Sequence, residues 1–289
     1  MSQGYQALRR GAAWLDLSAC GRIAARGRDR ARLLHAITSN EVKKMTPGTG
    51  CYAFLLNPQG RIQADLCLFC HQDHFLIDTE PELREKVLAL IKRYIIADQV
   101  ELEDVTAATA AIGLEGPGAA AVLAALGAPV PVDAYTHVAW GDVTVAAVTA
   151  TGQPGVRFFC PADKASTLVD RLEAAGAVAA SVADARLARI ENGKPRYGED
   201  IRETSLPQET QQMHAVSFTK GCYLGQEIVE RIRAQGRVNK KLMRVVLEGG
   251  EAPAAGTKTT VEGAEAEVTS AVVSPDSGEV VALAYVRQR

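Results

Sequence analysis

Residues 51–79 read CYAFLLNPQGRIQADLCLFCHQDHFLIDT. Two runs rich in β-branched, aromatic and aliphatic residues flank Asn57-Pro58-Gln59-Gly60, a turn cluster that predicts a hairpin. A third run, HFLIDT, extends it. Leu83, Val87, Leu88 and Ile91 then recur at helical spacing, which predicts a helix over 80–94, and QVELEDV (99–105) returns to strand. The next stretch echoes this order: strand AAIGLEG (110–116), helix PGAAAVLAAL (117–126), hairpin HVAWGDVTVAAV (137–148), strand VRFFC (156–160), helix 162–175 and strand AVAASV (177–182). The expected class is α+β, with two related units on antiparallel sheets. Residues 1–104 form the first unit and 105–236 the second, with exchange of chain between them allowed. From 240 to 289 the texture is short strands with Gly and Pro turns, expected to form a small β-barrel.

The chain has 289 residues, 47% of them hydrophobic. Surface scaling gives roughly 12,000 Å² exposed when folded against about 45,000 Å² unfolded, so a large core needs no staples. Lys plus Arg total 32 and Asp plus Glu 34, a net charge of −2. That balance argues against a general nucleic-acid or membrane coat. The start, MSQGYQALRRGAAWLDLS, lacks the apolar core of a secretory signal, and no stretch approaches the ~20 apolar residues of a membrane span. Six scattered cysteines do not make a secreted disulfide framework. The expectation is a cytoplasmic monomer.

Beyond a predicted helix at 183–191, stopping at Asn192-Gly193, residues 194–219 carry no periodic pattern. A loop of this length in a compact domain is functional or disordered. It leads to Lys220-Gly221-Cys222-Tyr223-Leu224-Gly225-Gln226-Glu227 and a short amphipathic helix, 226–235, ending at Gly236. Cys222 thus precedes a helix N-terminus, whose partial positive charge favours thiolate. Lys220 adds a cation, and Gly221 and Gly225 permit a tight backbone around the sulfur. The opposing reading is an inert buried thiol.

These segments carry a family resemblance. ARLARIENGKPRYGEDI (185–201) resembles the Arg-x-Glu-x-Gly segment of the glycine-cleavage T-protein family. KGCYLGQE (220–227) resembles the signature of its YgfZ branch. WLDLSACGRIAARGRDRARLLHAITSNEV (14–42), LLNPQGRIQADL (55–66), VTSAVVSP (268–275) and ALAYVR (282–287) agree in order and spacing. The resemblance implies a T-protein-like ring of three domains around an opening that binds tetrahydrofolate or a one-carbon derivative. It implies service to iron–sulfur client proteins or cluster carriers, with tRNA thiomethylation affected only indirectly. The alternative is aminomethyl transfer of the T-protein type.

The resemblance places Cys222 as the functional thiol and Glu191 as the pterin anchor, one carboxylate accepting two adjacent N–H donors. Arg189 and Gly193 complete that motif, and Gly221, Tyr223, Gly225 and Gln226 are expected on the cofactor side. Asp65 matches one acid of a T-protein pair; Ala64 stands where the other would be, which puts aminomethyl transfer in doubt. The plain alternative for Glu191 is a surface glutamate paired with a nearby arginine, and for Asp65 a hairpin or surface carboxylate. Cys67-x-x-Cys70 lies within a predicted strand, where residues three apart face opposite sides, so no metal site is expected. Cys20, Cys51 and Cys160 read as small core residues. Arg231, Arg233, Arg237, Lys240, Lys241 and Arg244 form a basic run for a folate glutamate tail, a partner protein or RNA phosphates, or simply a solvated face. The five histidines show no metal-ligand spacing.

Overall fold

The computed structural model describes residues 1–288. Helix α1 (Gln3–Arg10) starts at Ser2, whose Oγ accepts the Tyr5 N–H at 3.0 Å. Strands β1 (Ala13–Asp16) and β2 (Gly21–Arg26) and helix α2 (Arg30–Ile37) follow. The expected hairpin is β3 (Gly50–Leu56) and β4 (Ile62–Cys70), extended by β5 (His74–Thr79). Asn57 makes its turn: Oδ1 accepts the N–H groups of Gln59 at 3.0 Å and Arg61 at 2.9 Å, an Asx arrangement. Helix α3 (Arg84–Arg93) and strand β6 (Glu101–Asp104) close this unit.

The echo is β7 (Thr109–Glu115), α4 (Ala119–Leu126), β8 (His137–Trp140), β9 (Val143–Ala146), β10 (Gly155–Pro161), α5 (Ala165–Ala174) and β11 (Val178–Ala179). Helix α6 (Val182–Glu191) begins in a capping box between Ser181 and Asp184. Short 3-10 turns at Pro207–Thr210 and Met213–Ala215 are the regular structure of the long loop. Helix α7 (Gln226–Gln235) has the bounds read from sequence and stops at Gly236 in the left-handed region. Strands β12 (Lys240–Leu247), β13 (Lys258–Val261), β14 (Ala264–Val273) and β15 (Val280–Arg287) complete the chain.

Three sheets result, ordered β3-β4-β5-β2-β6, β11-β1-β7-β10-β9-β8 and β12-β15-β14-β13. The first strand crosses over to the second sheet. β1 pairs antiparallel with β7 (Ala13↔Glu115) and parallel with β11 (Ala13↔Val178), so it belongs to the second sheet. Residues 1–16 therefore sit with the second unit, outside a contiguous 1–104 domain.

Each large sheet buries one face under its own helices. Ile23, Leu34, Phe54, Leu66, Val87 and Ile91 fill the first core, and Ile112, Leu114, Val122, Phe158, Leu168 and Leu172 the second. Phe69, Leu76, Ala111, Val148 and Phe159 join the two sheets. The segments crossing between them are pinned by Arg22, which is fully buried. Its guanidinium donates to the carbonyls of Cys20 (2.7 Å), Ser18 (3.0 Å), Thr106 (2.8 Å) and Thr109 (3.0 Å). A buried guanidinium is tolerated when its fork is satisfied in this way. The C-terminal sheet packs on α6, through Ile190 with Val272 and Val281. Among the described residues no helix is long and apolar enough to cross a membrane.

Candidate functional site

Where the two large sheets meet α6 and the loop after it, they enclose a cavity of about 680 Å³. Strands β1, β4, β5 and β10, the start of α6, and the loop through His214 supply its walls. A larger hollow of about 1010 Å³ lies against the C-terminal sheet. It is lined by exposed alternating charges such as Lys258, Glu265, Glu267 and Arg287. It is a wet surface, whereas the smaller cavity has the enclosure and mixed lining of a ligand site.

Asp65 reaches this cavity because strand side chains alternate: Ala64 is buried in the first core, and Asp65 faces the other way. The Tyr52 hydroxyl donates to its Oδ2 at 2.7 Å, while Oδ1 has no hydrogen-bond partner among the described residues. Burial pushes the carboxyl up to about 6, against the pull of Tyr52. It can therefore take and return a proton near neutrality. Tyr52 stacks on His214 (centroids 5.3 Å) and on Tyr135 (6.3 Å), and the Tyr135 hydroxyl meets His214 Nε2 at 3.1 Å. Asn40 Nδ2 donates to the carbonyls of both Tyr52 and His214 at 2.9 Å, tying the hairpin to the loop. Tyr135 has φ +64°, an uncommon setting for a bulky residue. Its carbonyl presses on Gly50, where a Cβ would come within 2.4 Å.

Most other charges of the wall pair with one another, Lys194 excepted. Arg157 on β10 meets Asp78 on β5, an ion pair joining the two sheets. Arg186 and Arg189 engage Glu199, and Arg189 also reaches Asp200 at 2.7 Å. Asp200, fully buried, accepts Thr269 and Ser270 hydroxyls at 2.6 Å and so locks the C-terminal sheet to the cavity wall. Arg196 binds Glu80 at 2.9 Å, yet burial still pushes Glu80 up to about 7. Cys20 and Cys67 also line the cavity, so the core role expected for Cys20 is corrected. Burial drives both thiols upward, Cys20 to about 12, so both stay protonated. Cys70 points to the opposite side of β4, with Sγ 3.9 Å from the Met45 carbonyl.

Glu191 is elsewhere. At about 100° per helical residue, it lies far around α6 from Arg189 and faces α1. The Tyr5 hydroxyl donates to it at 2.7 Å and Arg9 stands 3.6 Å away. The expected pterin anchor is thus a buried helix–helix contact, outside the cavity lining. Arg189 does line the cavity, held by its two acids, and Gly193 (φ +69°) serves as the left-handed stop of α6.

The KGCYLGQE segment also lies outside the cavity lining, which corrects the cofactor-side placement of Gly221, Tyr223, Gly225 and Gln226. These residues build a pedestal for Cys222. Lys220 is buried and donates to the carbonyls of His35 (2.5 Å), Thr38 (2.6 Å) and Asn40 (2.8 Å), capping the open end of α2. Its charge is consumed there, which corrects its expected role beside the thiol. Tyr223 is buried in the first core. Gly225 (φ +81°) lies so close to the hairpin turn that a Cβ would come within 2.5 Å of the Asn57 carbonyl. Gln226 Oε1 accepts the Tyr223 N–H at 3.3 Å, and Gly221 faces open space. Cys222 itself is exposed; the other five cysteines are buried or partly buried. The basic run disperses: Arg231 and Arg233 pair with Glu227 and Glu230, Lys240 covers the Tyr285 ring at 4.4 Å, and Arg244 donates to the Glu191 carbonyl at 2.6 Å.

Sequence reading missed Tyr52, Tyr135, His214, Lys194 and the Asp78–Arg157 pair. Asp78 alone left a trace, as an acid inside the apolar run HFLIDT.

Residues 1–220 match the family described as the GCVT N-terminal domain. The chain is 32% identical over 292 residues to an aminomethyltransferase of Rubrobacter xylanophilus, covering 98% of this chain and 78% of that protein. It is 25% identical over 296 residues to a putative chloroplastic transferase of Arabidopsis thaliana, covering 99% and 68%. The crystal structure of glycine cleavage system aminomethyltransferase T from Bartonella henselae superposes with a TM-score of 0.87 at 21% identity, over 99% of this chain and 81% of that one. At that identity the likeness establishes the fold.

Proposed function

Because the chain belongs to the family of the GCVT N-terminal domain and the aminomethyltransferases, we propose that it binds a reduced folate around Asp65 and assists iron–sulfur enzymes through Cys222. The folate would be tetrahydrofolate or a one-carbon derivative. The clients would be iron–sulfur proteins or cluster carriers, in the manner of the YgfZ branch, with tRNA thiomethylation downstream.

The observation that carries this reading is the pedestal. Lys220, Tyr223, Gly225 and Gln226 are all spent on holding one loop, and that loop presents the one exposed thiol of six. Burial raises the other five thiols above their ordinary value. An accessible sulfur on a rigid turn suits nucleophilic attack or iron ligation, which a serine hydroxyl supplies poorly. The cavity fits a folate in size, within the ~300–1,000 Å³ of ligand sites. Its aromatic rings and the unpartnered Asp65 Oδ1 suit a flat ring bearing N–H groups. A bound folate would supply a one-carbon carrier; Asp65 and Tyr52 would hold or move a proton at its amine.

A second reading is one-carbon transfer of the aminomethyl type. The Asp65 carboxyl, pushed up to about 6 inside the cavity, favours it, as do the names of the relatives. A rescue assay separates the two. In a strain lacking its own YgfZ-type protein, the Cys222→Ser variant should lose most of the recovery of iron–sulfur enzyme activity, while Asp65→Asn keeps most of it. Asp65-dependent aminomethyl transfer from a lipoyl carrier, indifferent to Cys222, would instead establish the second reading.

A further inference from the structure

Setting aside the exposed Asp16, pairing off the charges that line the cavity leaves two without an opposite partner among the described residues. Arg157 has Asp78, Arg186 and Arg189 have Glu199, and Arg196 has Glu80. Asp65 has only the Tyr52 hydroxyl. Lys194 has only the Thr149 carbonyl. The Glu115 carboxylate acts on Lys194 from a distance, but it is already occupied by the Ala150 and Thr151 N–H groups and the Thr151 hydroxyl. An ammonium has three donors, so two N–H groups of Lys194 are uncommitted. Burial lowers the lysine below its ordinary value, the direction expected when charge is enclosed without a counter-ion. Both Lys194 and Asp65 exert their charge on the thiol of Cys67, which lines the same cavity.

An enclosed cation and an enclosed carboxylate, each short of partners, are costly unless a ligand completes them. A ligand that does so needs an oxygen acceptor and an N–H donor on one compact frame. A reduced pteridine has these on neighbouring positions, a ring carbonyl beside a ring amine. We propose that Lys194 is a second ligand-binding residue of this cavity, donating to the ring carbonyl of the reduced pteridine whose amine faces Asp65. This rests on the folate reading above and adds to it a residue that recognises the ring end of the molecule.

Calorimetric titration with tetrahydrofolate, and with a tetrahydropterin lacking the aminobenzoyl-glutamate tail, tests this. Lys194→Met should bind both roughly 10- to 100-fold more weakly, the effect of losing a hydrogen bond from a charged donor. Lys194→Gln, which keeps one donor, should fall between. The melting temperature of Lys194→Met should equal or exceed that of wild type, since an incompletely paired cation has been removed. Weaker binding together with retained stability separates a ligand contact from a structural one. Unchanged affinity in Lys194→Met, or a loss confined to the tail-bearing ligand, would overturn the assignment while leaving the folate reading intact. Wild-type protein that binds neither ligand would overturn both.

Discussion

Arg157→Met should lower the free energy of unfolding by about 3–5 kcal/mol, the usual cost of stripping one partner from a buried ion pair. The Asp78 side chain is 3% exposed and that of Arg157 9%. Asp78 has no second cation bonded to it, and its Oδ1 has no partner among the described residues. Without Arg157 a buried carboxylate is left unpaired between two sheets. Domains of this kind have only about 5–15 kcal/mol in total, so the variant should be marginal. Burial already raises the Asp78 carboxyl, and removing its cation raises it further. A carboxyl with a raised folded-state pKa binds its proton more readily in the folded than in the unfolded chain. Its penalty is therefore full at high pH and shrinks as pH falls toward the ordinary carboxylate range. Urea unfolding at pH 7 and pH 5 should show the defect narrowing at the lower value. The double variant Asp78→Leu with Arg157→Met should recover most of the loss, because well-packed apolar side chains replace a buried pair at little cost. A loss under about 1 kcal/mol in the single variant, the range of exposed pairs, would show that the pair is solvated.

Lys220→Met should cost about 2–4 kcal/mol, and it should also abolish rescue although Cys222 is untouched. Three carbonyls now converge on one ammonium. Removing it leaves acceptors at the end of α2 unsatisfied in a buried place. Burial pushes Lys220 down to about 8, so it still carries its proton at neutral pH. Lys220→Arg should fail too, since the larger planar guanidinium does not fit where three carbonyls close to within 2.5–2.8 Å of a single nitrogen. Thermal unfolding and the rescue assay together are the measurement. Wild-type stability in Lys220→Met would mean that the loop holds itself, and that the lysine is free for chemistry after all.

Lys220 shows where sequence reasoning stops. A lysine two residues from a cysteine reads as an electrostatic neighbour, because sequence displays adjacency along the chain. Its partners are the carbonyls of His35, Thr38 and Asn40, about 180 residues away. Local signals were legible because their cause is local. Asn57 and Gly60 shape the hairpin turn through their own side chain and backbone, and α7 runs between two left-handed glycines. Asp65 entered only through the family resemblance; in the fold, strand alternation turns it into the cavity, away from Ala64. Glu191 was misplaced because a motif match says nothing about which side of α6 faces the cavity. Tyr135 and His214 come from two loops without periodicity and meet only in the folded molecule.

The placement of β1 in the second sheet bears on how the protein is made. The Tyr5 hydroxyl waits for a glutamate 186 residues downstream. At ribosomal speeds of about 5–20 residues per second that interval is roughly 10–40 s. Throughout it, Leu8, Ala13 and Leu15 have no core to enter, since theirs includes Ala188 on α6. The β7 edge that will receive β1 does not exist until residue 115 has been synthesised. The first sheet, whose strands all fall between Gly21 and Asp104, can close early. The amino-terminal segment, first out of the ribosome, docks among the last, and an unpaired apolar strand in transit is what chaperones bind and aggregates recruit.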